Sequence, residues 1–485
     1  MKKYFHLKER ITSKKLFQLL VILSVTYPFQ KMKAQTSDEI LNLMIAKGLI
    51  SQTAVDSMRA ESAIKAQDAP KDKTFTVDLE FRPRSEYREG YGQLQNDTVV
   101  PAFFTNQRTR LSFGYEVVNK FNFQFSIQDI REFGRDDPRS TAGTVQVFEA
   151  YFEPILSKHF SIRMGRQRIM YDNQRLFAQN DWRQNANAHD GINFRWNSTD
   201  FTTELAAAWN QTAEGFSNTG FFPVDQSGKP IKNYKLLTVH YLKWKFNKYF
   251  TLTTINCADG YQDAKNAETL HIRYTNGGRL DFEKNALYAT FSGYIQHGRS
   301  AANQIIHAYY IQPEIKYVVK ENTTFRLGME YMSGQDATRI SNDDNSFVPL
   351  YGVAHRFNGY MDLYTKFPDD LNRAGLVNPY LFAIQNISKK TSVGFYFHQF
   401  YSQNNFLNKD KKVIDKYLGF EHDILFNYKP NAFTNLEVGY SYYLPTESTV
   451  LIKKAKIGAE KEWQQWAYVM ITFKPQLFKT KFNKL

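Results

Sequence analysis

The chain has a single cysteine, no long apolar run and no enzyme signature, and each absence removes a class. Cys257 alone cannot close an internal disulfide, so this is not a small disulfide-stapled domain. The longest mainly apolar stretch, Leu16–Phe29, falls short of the roughly 20 residues a spanning helix needs. With a mean hydropathy of −0.52, no helical membrane protein fits. There is no Gly-x-Ser-x-Gly elbow, no His-Glu-x-x-His pair, no phosphate-cradling glycine loop and no paired cysteine for zinc. Ten histidines are scattered singly. His398 and His422, near Asp423, are the nearest thing to a hydrolase constellation, and spacing alone does not bring a base, an orienter and a nucleophile together. No catalytic residue, metal or cofactor is expected.

What the chain does have is aromatics, at 16%, and a strict alternation. From Phe75 to Arg88 the sequence is FTVDLEFRPRSEYR. Phe75, Val77, Leu79, Phe81 and Tyr87 share one parity; Asp78, Glu80, Arg82, Arg84, Glu86 and Arg88 share the other. Successive side chains of a strand point to opposite faces, so one face is greasy and the other carries six charges. A soluble sheet can wet one face, so a single such strand decides little. The pattern recurs, however, in Arg108–Val118, Phe121–Gln128, Ile192–Trp196, Phe201–Asn210, Thr324–Met332, Tyr417–Tyr428 and Asn435–Tyr443. With weaker runs the count reaches about eighteen, an even number as bacterial barrels prefer. The expected fold is all-β: a transmembrane, antiparallel up-and-down β-barrel of about eighteen strands with aromatic girdles. Tyr171–His189, Gly215–Tyr234 and Gly334–Asn378 are candidate long loops.

The N-terminus differs. Basic Lys2, Lys3, Lys8, Arg10, Lys14 and Lys15 precede LFQLLVILSVTYPF and a short polar stretch, the layout of a signal peptide over 1–34 with cleavage after Ala34. Residues 35–73 are expected to form a periplasmic leader containing a short helical hairpin over 37–67. Ser37 would cap its first helix, Gly48 would stop it, and Thr53 and Asp56 stand at capping-box spacing. The hairpin is open to three readings: a plug, a contact for a periplasmic partner, or a tethered leader. The barrel is expected over 74–475, with a C-terminal tail from 476 to 485. Residues 1–34 hold eight Lys/Arg and one Glu, so +7 of the +14 net charge remains for the rest. Those remaining arginines are interleaved with apolar residues rather than clustered, which favours an anionic solute inside a pore over nucleic acid.

Five motifs carry a family resemblance: FGRDDPR (Phe133–Arg139), the stretch from Arg163 to Trp196 with its GRQ, DWR and DG elements, HRFNGYMDLY (His355–Tyr364), GLVNPYL (Gly375–Leu381) and GYSYYLPTES (Gly439–Ser448). Together they resemble the alginate export family of outer-membrane channels, over most of the chain from about Thr74 to Phe473. The resemblance implies an eighteen-stranded barrel that carries anionic polysaccharide through an Arg-lined lumen. The ending KPQLFKTKFNKL departs from the usual aromatic terminus, leaving Phe473 or Phe478 as the assembly signal.

Parity and motifs together nominate a substrate path of Arg82, Arg84, Arg108, Arg110, Arg163, Arg166, Arg168, Arg183 and Arg195, with Asp136, Asp181 and Asp190 beside them. Guanidinium presents a planar fork of donors and does not deprotonate, so it grips carboxylates in two-pronged fashion. The competing role is to brace the wall by pairing with Glu80, Glu86, Asp137 and the three aspartates above. Tyr151, Trp182, Trp196, Trp209, Tyr396 and Tyr401 would stack on sugars if inward and form girdles if outward. SNDDNS (Ser341–Ser346) lacks the spacing of a calcium loop and reads as a solvated turn. The expected partners are outer-membrane lipid and an anionic poly- or oligosaccharide. Two other functions stay open: a general porin, and an enzyme or adhesin for which the barrel is only an anchor. Intact mass of the protein extracted from outer membranes is expected to correspond to a chain beginning at Gln35; a species retaining residues 1–34 would refute the signal-peptide assignment.

Overall fold

The computed structural model describes residues 73–135, 145–211, 214, 233–263, 266 and 268–482. The signal segment, the helical leader and Asp136 with Asp137 lie outside them. Strands appear where the alternation runs: β1 Lys73–Glu89, β2 Ala102–Val117, β3 Phe121–Glu132, β4 Gln146–Pro154, β5 Phe160–Gln167, β6 His189–Asn197 and β7 Phe201–Trp209. They continue with β8 Leu236–Lys245, β9 Phe250–Gln262, β10 Leu270–Lys284, β11 Leu287–Arg299, β12 Ile305–Val319, β13 Thr323–Met332 and β14 Leu376–Asn386. Last come β15 Thr391–Ser402, β16 Tyr417–Asn431, β17 Thr434–Pro445, β18 Gln464–Phe473 and β19 Gln476–Phe482, with helix α1 (Glu447–Lys453) between β17 and β18.

From β1 to β18 each strand pairs antiparallel with the next, and β1 closes the sheet by pairing with β2 on one side and with β18 and β19 on the other. β18 and β19 lie end to end along β1: Phe81 faces Phe473, Asp78 faces Gln476, and Leu79 N–H donates to the Pro475 carbonyl across the gap at 3.1 Å. The nineteen stretches are therefore eighteen staves of one closed barrel. Here the structure differs from the sequence analysis, which ended the last strand at Phe473 and expected a tail from 476. Pro475 has no N–H to continue the ladder, so it interrupts the strand without ending it. Phe478 sits within β19, its ring 6.1 Å from that of Phe75.

The eight connections at one end run two to five residues, while those at the other end reach forty-three (333–375). That asymmetry is the one expected of short periplasmic turns and long outer loops. The parity expected for β1 holds: Glu80, Arg82, Arg84 and Glu86 are buried inside, and Phe81 is exposed on the outer wall. Outward positions elsewhere carry Phe123, Phe152, Met164, Phe194, Phe291, Ile315, Leu327, Leu381, Phe395 and Val469, all exposed. A lone charge placed on that face near the bilayer midplane costs about 2–4 kcal/mol. Leu111→Arg on β2 is therefore expected to lower the stability of the barrel in lipid vesicles by that amount in a denaturant titration, whereas Ser112→Arg, one residue along and facing in, is expected to cost far less.

Candidate pore constriction

Two of the long loops do not leave the barrel but fold into it. The 168–188 connection, after β5, and the 333–375 connection, after β13, meet inside. Tyr351 N–H donates to the Leu176 carbonyl at 3.0 Å, Ala178 N–H returns to the Tyr351 carbonyl at 3.2 Å, and Val353 N–H donates to the Gln174 carbonyl at 3.0 Å. The inward course of 168–188 needs tight reversals, and Asp172, Gln174 and Asn180 take positive φ there. Gly352 makes the close approach possible, because a Cβ at that position would collide with the Arg175 carbonyl. Around this contact the barrel has an apolar filling: Leu176 and Phe177 from one loop, Phe347, Met361, Leu363, Tyr364 and Leu371 from the other, and Met332, Leu376, Phe400, Leu418, Tyr443 and Trp466 from the wall.

Polar groups inside such a filling must be paired. Arg175 is the clearest case. Its guanidinium bridges Glu330 of β13 at 2.6 Å, the Asn358 side chain at 2.8 Å and the Val353 carbonyl at 3.0 Å, joining one loop to the other and both to the wall. The far end of 168–188 is held by the arginines of β1 and β2. Arg82 donates to the carbonyl of Asp181 at 2.6 Å and to that of Arg183 at 3.0 Å; Arg84 donates to the Trp182 carbonyl at 2.8 Å; Arg108 donates to the Gln184 carbonyl at 3.0 Å. Four consecutive carbonyls, 181 to 184, are thus satisfied by wall guanidiniums. Arg108 is fully buried, with Glu80 on one side and Asp181 at 2.9 Å on the other.

A stack of planar groups crosses the interior at the same level. The Arg84 guanidinium lies 4.1 Å over Trp182, Trp182 stacks on His355 at 4.4 Å, His355 on Tyr360 at 4.9 Å, and Tyr360 reaches Tyr396 of β15 at 5.3 Å. His355 Nδ1 sits 2.9 Å from the Asp362 carboxylate, to which Tyr91 also donates. Burial works against the charged form of Asp362, but the His355 ring and the Tyr91 hydroxyl prevail and hold its carboxyl below the usual range. The 333–375 loop is tied down further by Met361 N–H to Glu421 at 2.8 Å, by Asn378 to the Phe357 carbonyl at 3.1 Å, and by Lys453 of α1 to Asp370 at 2.9 Å.

The two loops leave space on either side. Toward the long-loop end a cavity of about 710 Å³ is lined by Arg183, His189, Arg273, Asp344, Tyr351 and Arg373 among others. Toward the short-turn end one of about 770 Å³ is lined by Lys243, Arg279, Tyr288, Glu314, Lys316 and Arg326 among others. A smaller one of about 320 Å³ lies against Trp182, His355, Arg356 and Glu437.

The nominated residues fall into distinct settings. Arg82, Arg84, Arg108 and Asp181 belong to the loop clamp. Arg110 reaches Gln128 at 2.7 Å and lies over Phe148 at 3.6 Å. Arg163 and Arg195 share Glu153, each at 2.7 Å, and Arg168 pairs with Glu149 at 2.9 Å. Arg166 pairs with Asp190 at 2.8 Å at the loop end of β5 and β6, on the parity of outward Met164 and Phe194. Arg183 is exposed to the upper cavity with no ion pair of its own among the described residues. Of the aromatics, Tyr151 is packed under Arg163 at 4.3 Å, Trp182 and Tyr396 are inside, and Trp196 and Trp209 are exposed on the outer wall. His398 faces in and His422 out, stacked on Phe397 at 4.4 Å, so those two and Asp423 do not converge. Asp343 and Asp344 face His307 and Arg373, and the described residues contain no group of three metal-ligating side chains. Arg175, Arg273, Arg279, Arg326, Arg356 and Arg373 were not singled out in the sequence. Arg273 and Arg279 do share a parity in β10, which is the one signal that marks them.

Residues 74–449 match the model of the alginate export family. The chain belongs to that family. Solved structures give the same fold at low identity. OccAB4 of Acinetobacter baumannii is 12% identical with a TM-score of 0.56 over 85% of this chain and 100% of that one. OccK9 (OpdG) of Pseudomonas aeruginosa is 10% identical with a TM-score of 0.57 over 83% and 98%. OccK1 (OpdK) of the same organism is 10% identical with a TM-score of 0.56 over 84% and 99%. No curated protein matches this chain. As a member of the alginate export family with this barrel, the protein is an outer-membrane channel. The two loops meet inside its barrel, and Arg175 is their common tie. Breaking a buried ion pair from one side costs about 3–5 kcal/mol. Arg175→Ala is expected to lose stability of that order in thermal unfolding and to raise the mean and the noise of single-channel current; a channel as quiet and narrow as wild type would show that the loops are held by something else.

Proposed function

We propose that the channel passes anionic oligosaccharides of the uronate class by passive diffusion, with a modest preference set by cations that the protein leaves unneutralised. The observation that carries this reading is where those cations stand. Among the described residues, Arg183 in the upper cavity, Arg356 beside the Trp182–His355 stack, and Lys243 and Lys316 in the lower cavity have no ion pair. They lie before, at and beyond the constriction, spaced as a relay. A solute carboxylate handed along such a relay meets contacts strong enough to draw it in and weak enough to release it. Family membership supports the substrate class. The wall arginines of β1 and β2 are, on this reading, structural: their donors are already engaged by Glu80, Glu86, Asp181 and loop carbonyls. A signal peptide over 1–34 would deliver the chain to the outer membrane.

A second reading has its own observation. The arginines of the first six strands are matched by carboxylates or amides, and the cavities also hold Asp172, Glu283, Asp369 and Glu437. A lumen balanced in this way suits a general porin.

Planar-bilayer recordings of the mature protein in a salt gradient separate the two. The oligosaccharide channel gives an anion-favouring reversal potential and current blocked by uronate oligomers. Exchanging Arg183, Arg356, Lys243 and Lys316 for glutamine is expected to weaken the block about tenfold or more while leaving the open current in place. Unselective, unblocked current would establish the general porin. No current at all would overturn both and leave the barrel as an anchor.

A further inference from the structure

The outer face of β8–β10 carries polar side chains near mid-height. Asn256 is the middle residue of β9, Asn276 stands one residue from the middle of β10, and His240 is at the middle of β8. All three have the outward parity of their strands: they alternate with buried Val239, Tyr241, Ile255, Cys257 and Thr275, and share the side of exposed Leu236, Trp244, Tyr274 and Leu280. The register sets His240 opposite Asn256 and Asn256 opposite Asn276. Asn276 donates to Asn256 at 3.0 Å and faces His297 of β11 at 3.0 Å, while His240 meets Thr203 of β7 at 2.9 Å. A continuous polar row therefore runs across the outer face of β7–β11. Many other strands carry apolar residues outward near their middles, among them Phe125, Ile162, Leu327, Leu381, Phe395, Ile424, Val438 and Val469, while Gln107 and Thr109 of β2 and His422 of β16 are further polar residues on the outer face.

Hydrocarbon offers such a row nothing. Among the described residues the Asn256 amide nitrogen donates to no acceptor and His240 Nδ1 has no partner, and an unpaired polar group in lipid is strongly disfavoured. Small residues flank the row: Thr238, Thr254, Ala258, Gly278 and Gly293 leave that part of the wall flat. Small side chains are what allow close backbone approach between membrane segments.

We propose that this face of β7–β11 is an interface with a second copy of the same chain, buried in the bilayer. The row is neutral, and every amide in it both donates and accepts, as does each neutral imidazole. It is thus complementary to itself, whereas an acidic or basic partner would bring an unmatched charge to the bilayer core. Closed symmetric assemblies of identical chains are the usual form of a soluble oligomer, and two equal patches meet the same geometric requirement here. The inference rests on the barrel spanning the membrane and is independent of what the pore carries.

Cross-linking in isolated outer membranes tests it. With Asn256→Cys and a short bismaleimide, a species of twice the monomer mass is expected, and Val438→Cys on the outward side of β17 should give none. No cross-link at 256, equal cross-linking at 438, or a product whose mass includes a different protein would each overturn the proposal. Should the cysteine variant fail to assemble, the wild-type protein taken out in native-membrane discs decides by mass: a dimer or larger closed oligomer supports the interface, a monomer defeats it. Replacing His240, Asn256 and Asn276 together with leucine is expected to leave monomers with unchanged conductance per barrel.

Discussion

The structure depends on one strand being paired twice. In lipid every backbone N–H and C=O must find a partner within the protein, and a sheet meets that condition only by closing on itself. β1 closes it, with β2 along one edge and β18 and β19 along the other. The interruption at Lys474–Pro475 shows how strong the condition is. The chain loses a donor there, yet Leu79 N–H still reaches the Pro475 carbonyl and the pairing resumes within one residue. Because β1 is also the strand with the densest charge, closure and lumen chemistry are set by the same fourteen or so residues of sequence.

Closing the barrel makes an interior, and the interior has its own accounting of polar groups. Loop backbone drawn inside loses water, so each carbonyl needs a donor. The arginines of β1 and β2 supply them for residues 181 to 184, and their own charge is held by Glu80, Glu86 and Asp181. Guanidinium suits this work because one side chain can serve several acceptors at fixed angles. The same property would serve to grip a passing carboxylate, and a donor cannot do both at once. This is why the wall arginines, the obvious selectivity residues in sequence, are poorer candidates in the structure than Arg183, Arg356, Lys243 and Lys316, which have no ion pair among the described residues.

What could be read from sequence followed from local periodicity. The barrel, the strand parity and the even stave count need only the two-residue repeat and the lipid's intolerance of charge, and FTVDLEFRPRSEYR shows both. The loop at 168–188 illustrates the limit. Its length marked it as special, but its inward course depends on pairing with Tyr351 and Val353, some 175 residues away in sequence, and on the missing side chain of Gly352. Arg175 lies in that loop without any parity to identify it, and its partner Glu330 is one carboxylate among many in the sequence. Asp136 and the helical leader lie outside the described residues, so the plug, partner and tether readings of the leader stand as they did. The strand after Pro475 was hidden for a different reason: proline ends most strands, and here the closure requirement outweighs it.

A passive pore of this kind also separates what a family shares from what a member does. Membership in the alginate export family settles the architecture and the class of work, while direction follows from concentration on the two sides, since a channel lowers a barrier equally for both directions. The two folded-in loops bear on solute size rather than direction. They are tied at Arg175, at the β1–β2 arginines and at Glu421, Asn378 and Lys453, so opening the lumen widely would require breaking contacts to four regions of the wall and to helix α1 at once. Contacts so distributed give way one by one under thermal motion but together only rarely. That arrangement favours a constriction of fixed width over a gate that swings aside.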